Sequence, residues 1–476
     1  MKIPVEFNAL GTLPDDWSWQ PLQSLTANPK QDVVDGPFGS NLKASEYVSA
    51  GVPIARLQNI DRNTFVTKNI RFLAPAKAAE LARHEFKPDD ILITKLGDPL
   101  GKACIVPASI GRGVIVADLV RVRPDEKLVD RKYLTYAINS PTLVKQFELH
   151  TKGTTRPRVN LSVLRQLPIP LAPRQRQTEI VAEIEKQFSR LDEAVANLQR
   201  VKANLKRYKA SVLKDAVEGR LVPTEAELAR REGRSFETGE QLLQRILEVR
   251  RNKWSGKGKF KEPAPPVAVA LPSLPAGWAW STMPQLGELN RGKSKHRPRD
   301  DAALYGGPYP FIQTGDVRRS DGSITAHGQT YSEFGLKQSR LWPIGTLCIT
   351  IAANIAETGI LKLEACFPDS VVGFVSEHGY PTTEYVEFFI RTARAGLDRF
   401  ASATAQKNIN LEVLESVAVP TPPLAEQQRI VAEVDRRLSL IRGVESEVNA
   451  NLNRAQALRQ ATLAKAFGIQ SAQPEH

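Results

Sequence analysis

Residues 160–184 read NLSVLRQLPIPLAPRQRQTEIVAEI, and residues 410–434 read NLEVLESVAVPTPPLAEQQRIVAEV. The two segments align without a gap at an offset of 250 residues. Each passes from a leucine-rich run, through prolines that hold the chain extended, into a sequence with helical apolar spacing. A second landmark, Leu13–Trp19 (LPDDWSW), returns as Leu274–Trp280 (LPAGWAW). The chain is therefore one module written twice, a globular part followed by a long helix.

The sequence after each proline run predicts a helix that needs another helix as its partner. Apolar residues recur at spacings of mostly three and four, the pattern of a coiled-coil seam. In the first copy this pattern runs from near Thr178 to residue 217, about 40 residues or about 60 Å. The second copy carries a similar stripe. The seam residues are Ile180, Ile184, Phe188, Leu191, Val195, Leu198, Leu205 and Val212, and then Ile430, Val434, Leu438, Ile441, Val448, Leu452, Ala455 and Leu463.

The globular parts repeat the same order of short strands and one helical segment, which predicts the α+β class. Strands are expected at 52–60, 90–94, 103–106, 114–116 and 119–122, and in the second part at 309–313 and 347–350. A helix at 132–149, interrupted at Ser140-Pro141, corresponds to one at 384–400. A basic loop at 151–158 has its place taken by 404–408. The connector 219–273 predicts helices near 224–231 and 240–253, followed by a Gly/Lys/Pro linker.

Composition narrows the class of protein. The 476 residues suggest about three domains, and 41% hydrophobic and 25% charged residues are typical of a soluble globular protein. No run approaches the roughly 18 apolar residues of a membrane span, and the first residues lack the pattern of a secretory signal, so we expect a cytoplasmic protein. Cys104, Cys348 and Cys366 lack metal-ligand spacing, and we predict free, buried thiols.

A net charge of +13 favours a polyanionic partner. The basic residues cluster at 152–158, 250–261 and 291–299. The first and third clusters lie in loops attached to the repeated globular parts, where nucleic-acid contacts are expected. A solvated surface remains the alternative.

In the order of these landmarks the chain resembles the specificity (S) subunit of type I restriction–modification systems. The shared features are the doubled Leu-Pro-x-x-Trp-x-Trp opening, the Pro-rich run with glutamines (Gln175 and Gln177, then 426–428), and Ile-Val-Ala-Glu before a long helix. The resemblance covers essentially the full chain. It implies two target-recognition domains that each read one half of a bipartite, asymmetric DNA site in the major groove, joined by two long helices that pair antiparallel and set the spacing.

The resemblance also implies partners and boundaries. Two modification (methyltransferase) subunits would bring S-adenosylmethionine, and restriction–translocase subunits would bring ATP and Mg, so this chain itself would carry no cofactor, no metal and no catalytic residue. Its non-enzymatic role would be to bind double-stranded DNA, with no membrane contact. The predicted regions are 1–173 and 274–423 (recognition domains), 174–218 and 424–470 (long helices), 219–273 (connector) and 471–476 (tail).

Arginine and lysine suit guanine edges, and asparagine and glutamine suit adenine edges. On that basis the predicted DNA-binding residues are Asn41, Lys43, Arg56, Gln58, Lys95, Arg156 and Arg158 in the first part, and Lys293, Lys295, His296, Arg297, Gln313, Arg318 and Lys407 in the second. For each of them a surface charge or a phosphate contact is the alternative. Trp17, Trp19, Trp278 and Trp280, at repeated framework positions, are expected in the cores.

Two other functions stay open. Gly287–Ser294 fits the phosphate-loop pattern G-x-x-x-x-G-K-S, which would make the chain an ATP-using enzyme. Such a loop needs a strand before it and a helix after it, whereas Pro298 interrupts the following segment. The same residues also suit a basic DNA-contacting loop. The third hypothesis is a coiled-coil scaffold without a DNA role. No methyltransferase, nuclease or metal-binding pattern is apparent.

Overall fold

A computed structural model describes residues 12–38, 41–97, 99–151, 157–256, 258–267, 271–352, 355–379, 381–402 and 409–467. The chain divides into two compact units. Unit 1 comprises residues 1–199 and 449–476, and unit 2 comprises residues 200–448. Each unit therefore contains one globular part, the beginning of one long helix and the end of the other.

The globular part of unit 1 is built around a small antiparallel sheet. Its elements are β1 (Ser18–Pro21), α1 (Pro29–Asp32), β2 (Val33–Asp35), β3 (Tyr47–Val48), β4 (Val52–Ala55), β5 (Ile60–Asp61), β6 (Thr64–Phe65), β7 (Arg71–Leu73), α2 (Pro75–Glu80), β8 (Glu85–Phe86), β9 (Ile91–Thr94), β10 (Ala103–Ile105), β11 (Gly113–Ile115), β12 (Leu119–Val122), α3 (Arg131–Ile138), α4 (Pro141–Leu149), α5 (Leu161–Arg165) and β13 (Pro168–Leu171). The central sheet has the order β10-β9-β12-β2, a second sheet has the order β3-β7-β4-β11-β8, and β1 pairs with β13.

The first long helix and the connector lead into unit 2. The elements are α6 (Arg174–Val217), α7 (Glu225–Glu232), α8 (Gly239–Asn252), β14 (Ala279–Thr282), α9 (Met283–Leu286), β15 (Gly287–Arg291), β16 (Tyr305–Phe311), α10 (Thr314–Arg319), β17 (Gly322–Ile324), β18 (Gln329–Tyr331), α11 (Glu333–Lys337), β19 (Leu347–Thr350), β20 (Thr358–Leu361), β21 (Val371–Ser376), α12 (Thr382–Ser402), α13 (Leu411–Ser416), β22 (Ala418–Thr421) and α14 (Leu424–Ala466). Its main sheet has the order β15-β21-β19-β20-β17.

The strand topology confirms the internal repeat. The order β20-β19-β21-β15 in unit 2 repeats β10-β9-β12-β2 in unit 1, with every neighbour antiparallel. The two repeated landmarks pair with each other in both units, since Trp19 lies opposite Pro170 and Trp280 lies opposite Pro420. Prolines are tolerated there because a two-stranded ribbon leaves one side of each strand free of ladder bonds.

The long helices pair antiparallel, as predicted. In unit 1, Arg459 near the end of α14 forms an ion pair with Asp192 of α6 and lies 5.0 Å from the centre of the Phe188 ring. In unit 2 the order is reversed, because Val212 near the end of α6 belongs to the same buried core as Ile430 at the beginning of α14.

Several boundaries differ from the predicted ones. The first long helix begins at Arg174, directly after Pro173, and not near Thr178. The strand expected over 52–60 ends at Ala55, because the Asn59 side chain accepts the Arg56 N–H and starts a helical turn. The helices predicted at 132–149 and in the connector are confirmed, with Ser140 as the N-cap of α4.

The four framework tryptophans, all expected in the cores, are buried to different extents: Trp278 is buried, whereas Trp17, Trp19 and Trp280 are half-buried. Trp17 and Trp278 each meet a buried tyrosine edge-on, Tyr133 and Tyr385, with ring centres 6.3 Å apart in both cases. The core expectation is wrong for Trp280, which is half-buried and donates its indole N–H to the Pro272 carbonyl at the surface (3.3 Å). The three cysteines are free and buried, as predicted, and burial raises the pKa of each thiol.

Candidate nucleic-acid interface

Many of the predicted DNA-binding residues follow strands that end at one edge of each central sheet, and the others follow β4 or β16, which pair outside those sheets. In unit 1, β2 and β9 both run antiparallel to β12, so they end at the same edge, where β12 begins. In unit 2, β15 and β19 have the same relation to β21. We call this side of each unit its loop edge. In unit 1 it comprises the residues that follow β2, β9 and β4, and in unit 2 the residues that follow β15, β19 and β16.

The same backbone hydrogen bonds hold both loop edges. In each unit one bond fixes the residue after the first strand, one fixes the residue after the second, and one returns the late loop to the second strand. In unit 1 they are Gly36 N to Leu119 O (3.1 Å), Lys95 N to Asp118 O (2.9 Å) and Val159 N to Lys95 O (2.9 Å). In unit 2 they are Gly292 N to Val371 O (2.8 Å), Ile351 N to Ser370 O (3.0 Å) and Ile409 N to Ile351 O (3.2 Å). The framework of the two edges is thus equivalent.

Gly36 and Gly292 are required at the first of these positions by close packing. A Cβ on Gly36 would lie 2.0 Å from the Val116 carbonyl oxygen, and one on Gly292 would lie 2.4 Å from those of Phe367 and Pro368. Both approaches involve backbone, which cannot move aside as the end of a flexible side chain can. The loops that carry the candidate residues therefore leave the sheet through a narrow gap.

In unit 1 the structure brings Lys95 and Arg158 together. Lys95 Nζ lies 2.7 Å from Asp35 Oδ2, at the end of β2. Arg158 is exposed and forms a bridge with Leu96, so the basic loop returns beside Lys95. The partner Asp35 neutralises part of the positive charge and fixes the direction of the lysine.

The other unit 1 candidates lie in the neighbouring loops. Asn41 and Lys43 are exposed beyond β2, and Lys43 donates its backbone N–H to Glu46 (2.6 Å). Arg56 is half-buried, donates from Nη2 to the Asn69 carbonyl (2.6 Å), and its buried Nε has no partner among the described residues. Gln58 is exposed.

In unit 2 the loop after β15 carries four candidates within five residues, separated only by the buried Ser294. Gln338 organises this loop, because its Oε1 accepts the backbone N–H groups of Lys295 (2.5 Å) and His296 (3.0 Å). His296 Nε2 lies 2.7 Å from Asp301 Oδ2, and the Ala303 N–H together with His296 lowers the pKa of Asp301. Lys293, Lys295 and Arg297 are exposed.

Gln313 and Arg318 belong to the loop edge through β16. Gln313 is exposed, and its Nε2 donates to Oε1 of Gln329 on the neighbouring strand β18. Arg318 is exposed near the end of α10, beside a cleft of about 1060 Å³ that also includes Lys209 of α6. Arg156 and Lys407 lie outside the described residues.

Three residues of this region are absent from the sequence-based set. They are Gln329, Gln338 and Arg299, whose Nη2 bonds to both carboxylate oxygens of Asp369 (3.0 and 3.1 Å). Arg299 lies in the basic cluster 291–299, so the charge pattern of the sequence could have identified it as a candidate. The glutamines are distant in sequence from the residues they hold, and no local signal marks them.

The phosphate-loop match does not have the geometry of such a loop. Gly287–Arg291 is strand β15, paired along its whole length with β21, and the segment after it contains no helix up to the turn at Ala302. Ser294 is buried against the Tyr331 hydroxyl. The segment is extended, and the N–H groups of Gly292 and Lys293 donate to the carbonyls of Val371 and Phe367, so the backbone does not form a phosphate-binding loop. Across the described part of the chain, no group of His, Cys, Asp and Glu is placed to hold a metal, and no helix is long and apolar enough to span a membrane.

These observations define a class: a doubled α+β module with two equivalent loop edges and two long, paired helices. The chain belongs to the family described as "Type I restriction modification DNA specificity domain", whose model matches residues 84–207 and 275–452. The expected family and fold class are thereby confirmed.

Relatives extend over nearly the whole chain. The chain is 22% identical over 477 residues to the type I restriction enzyme EcoKI specificity subunit of Escherichia coli (strain K12), covering 96% of this chain and 89% of the relative. It is 20% identical to the putative MjaX specificity subunit of Methanocaldococcus jannaschii, covering 88% and 86%. A solved chain from work on "complex assembly" of "the type I R-M system" shares the fold, with a TM-score of 0.63, 20% identity, and coverage of 96% and 100%.

Proposed function

We propose that this chain is the DNA-reading and scaffold subunit of a type I restriction–modification complex, and that each loop edge reads one half of a bipartite, asymmetric site in the major groove. The observation that carries the proposal is the equivalence of the two loop edges: the backbone bonds repeat, whereas the side chains differ. Two readers of different DNA words require this combination of a constant framework and exchanged side chains.

The side chains at both edges have the chemistry of base and phosphate recognition. Lysine and arginine neutralise phosphates and pair with guanine, and amides pair with adenine. Exposed Lys43 and Arg158 in unit 1, and Lys293, Lys295 and Arg297 in unit 2, supply the positive charge. The +13 charge of the chain supports the same partner.

The long helices are proposed to set the gap between the half-sites and to dock two methyltransferase subunits. Helices of 44 and 43 residues are each about 65 Å long, enough to separate two readers by one or more 34 Å turns of DNA. The names of the relatives, which are specificity subunits of type I restriction enzymes, support this role.

In this proposal the chain recognises the DNA sequence and its partner subunits carry out the catalysis. The methyltransferase subunits bring S-adenosylmethionine and methylate adenine at N6, and restriction–translocase subunits bring ATP and Mg. The complex acts in the cytoplasm. The chain itself is not an enzyme, and the extended backbone of Gly287–Arg291 argues against the ATP-using alternative.

Lys293→Ala tests the proposal against that alternative. In the assembled complex we expect weaker binding to duplex DNA, a smaller dependence on salt by about one unit of slope if one phosphate contact is lost, and nucleotide binding equal to that of the wild type. Lys30→Ala is the matched control. Lys30 lies on α1, which precedes β2, and is therefore at the edge of the unit 1 central sheet opposite the loop edge. Loss of nucleotide binding with DNA binding intact would support the enzyme instead. Site-specific duplex binding would by itself exclude a scaffold without a DNA role.

A further inference from the structure

Arg56 of unit 1 and Gln313 of unit 2 occupy equivalent positions on the two loop edges. Each follows the end of a strand, β4 or β16, and is the N-cap of a short helix. Each donates its backbone N–H to the side chain three residues later, Arg56 to Asn59 (3.1 Å) and Gln313 to Asp316 (2.9 Å). The backbone therefore presents an arginine in one unit where it presents a glutamine in the other.

The glutamine is held by a second amide. Gln329 lies on β18 opposite Phe311 of β16, and its Oε1 accepts a hydrogen bond from Gln313 Nε2. Both side chains are exposed. After this bond Gln313 keeps its carbonyl oxygen as an acceptor and one N–H as a donor. If both amides are rotated, Gln313 accepts the bond with one lone pair of its carbonyl oxygen and keeps the other lone pair and both N–H groups, so it still offers an acceptor and a donor.

The groups left on Gln313 match those of one base. Adenine presents an N6 amino donor and an N7 acceptor in the major groove, and an amide that offers one acceptor and one donor in a plane pairs with both. Guanine presents two acceptors at the same edge, which suits an arginine. A fixed amide loses less rotational freedom on binding than a free one, so the bond to Gln329 favours recognition.

Resting on the proposed function, we infer that Gln313 reads an adenine in the half-site of unit 2 and that Gln329 is the positioning residue that fixes its amide plane. The position shared with Arg56 is then a specificity-determining position in both units. Substitution there changes the base that is preferred at one place in the site, without changing the other half-site.

The test is a map of N6-methyladenine in cells that carry this chain with its modification subunit. Gln313→Ala should lower the preference for adenine at one position of one half-site by roughly 10-fold to 100-fold, with the other half-site unchanged. Gln329→Leu should relax the same position. Gln329→Glu keeps an acceptor for Gln313 Nε2 and should restore the adenine preference, with lower total methylation because a negative charge is added near phosphate. Gln244→Ala, an exposed glutamine on α8, is the control and should leave the motif unchanged.

The outcomes separate this inference from the proposed function. No bipartite motif with the wild-type chain would overturn the proposed function itself. A wild-type motif that Gln313→Ala and Gln329→Leu leave intact at every position would overturn only the inference. Loss of all methylation by Gln313→Ala and by the milder Gln313→Asn, in chains that still assemble, would assign Gln313 a structural role and would also overturn it.

Discussion

The hydroxyl of Tyr133 donates a hydrogen bond of 2.6 Å to the carbonyl oxygen of Pro170. Unit 2 repeats the bond between Tyr385 and Pro420 at 2.7 Å. In each unit it ties the helix that follows the central sheet to the proline run from which the long helix starts. The joint between globular part and long helix is therefore constructed in the same way twice.

Tyr133→Phe should destabilise unit 1 by about 1–3 kcal/mol, because the Pro170 carbonyl is buried and loses its partner. Tyr385→Phe should have an effect of similar size in unit 2. Urea unfolding of the full chain, followed by tryptophan fluorescence, measures both. Tyr309→Phe is the control, since that hydroxyl bonds to Glu333 at the surface, and it should change stability by less than about 0.5 kcal/mol. Equal effects for all three variants would contradict the claim that the bonds from Tyr133 and Tyr385 stabilise the joint.

Gly36→Ala and Gly292→Ala should each impair DNA binding through one half-site. The added methyl group meets backbone carbonyls, so the loop beyond it must shift away from the edge. Gel-shift titrations on duplexes with one half-site altered would identify which half is lost. Gly443→Ala is the control, because this glycine lies within α14 with open space around it, and helix propensity predicts a gain of up to about 1 kcal/mol. Full binding by both loop variants would mean that the loops do not contact DNA.

Glu433→Gln should lower stability at neutral pH and lose its effect in acid. Hydrogen bonds from Arg436 and Arg437 lower the pKa of Glu433 from its ordinary 4.5 to about 2. Because the pKa is lowered on folding, the stabilisation is present above pH 4.5 and disappears as the pH falls towards 2. The loss in the free energy of unfolding is at most about 1 kcal/mol, because the ion pairs of Glu433 with Arg436 and Arg437 lie at the helix surface, where salt screens them. Thermal unfolding at several pH values measures the difference, and an effect that grows in acid would contradict the assignment.

Lengthening both long helices should lengthen the gap in the DNA site. A seven-residue insertion keeps the coiled-coil seam in phase and adds about 10 Å, which is about three base pairs. The insertions belong between Leu191 and Leu205 in α6, and in α14 between Arg437 and Arg459. The methylated motif should then keep both words with a longer gap. An unchanged gap, in a complex that still methylates, would show that the length of the helices does not set the separation of the half-sites.

The repeat, the long helices and the central strands were predictable because each has a local pattern. Residues 91–94 and 347–350 are short apolar runs bounded by turns, and both became fully buried central strands. The loop edges were predictable only in composition. Gln329 and Gln338 hold Gln313 and Lys295 across 16 and 43 residues of chain, and such partners depend on which strands pair. The individual base contacts stay predictions for the same reason.

The most direct test of two equivalent readers compares N6-methyladenine maps for the wild-type chain and two double variants, Lys95→Ala with Arg158→Ala and Lys293→Ala with Arg297→Ala. The wild type should give two short words around an unspecified gap. The first double variant should lower the sequence preference in one of the two words, and the second double variant should lower it in the other word. No new methylation from a folded, assembled complex, or loss of the same word in both variants, would contradict the account.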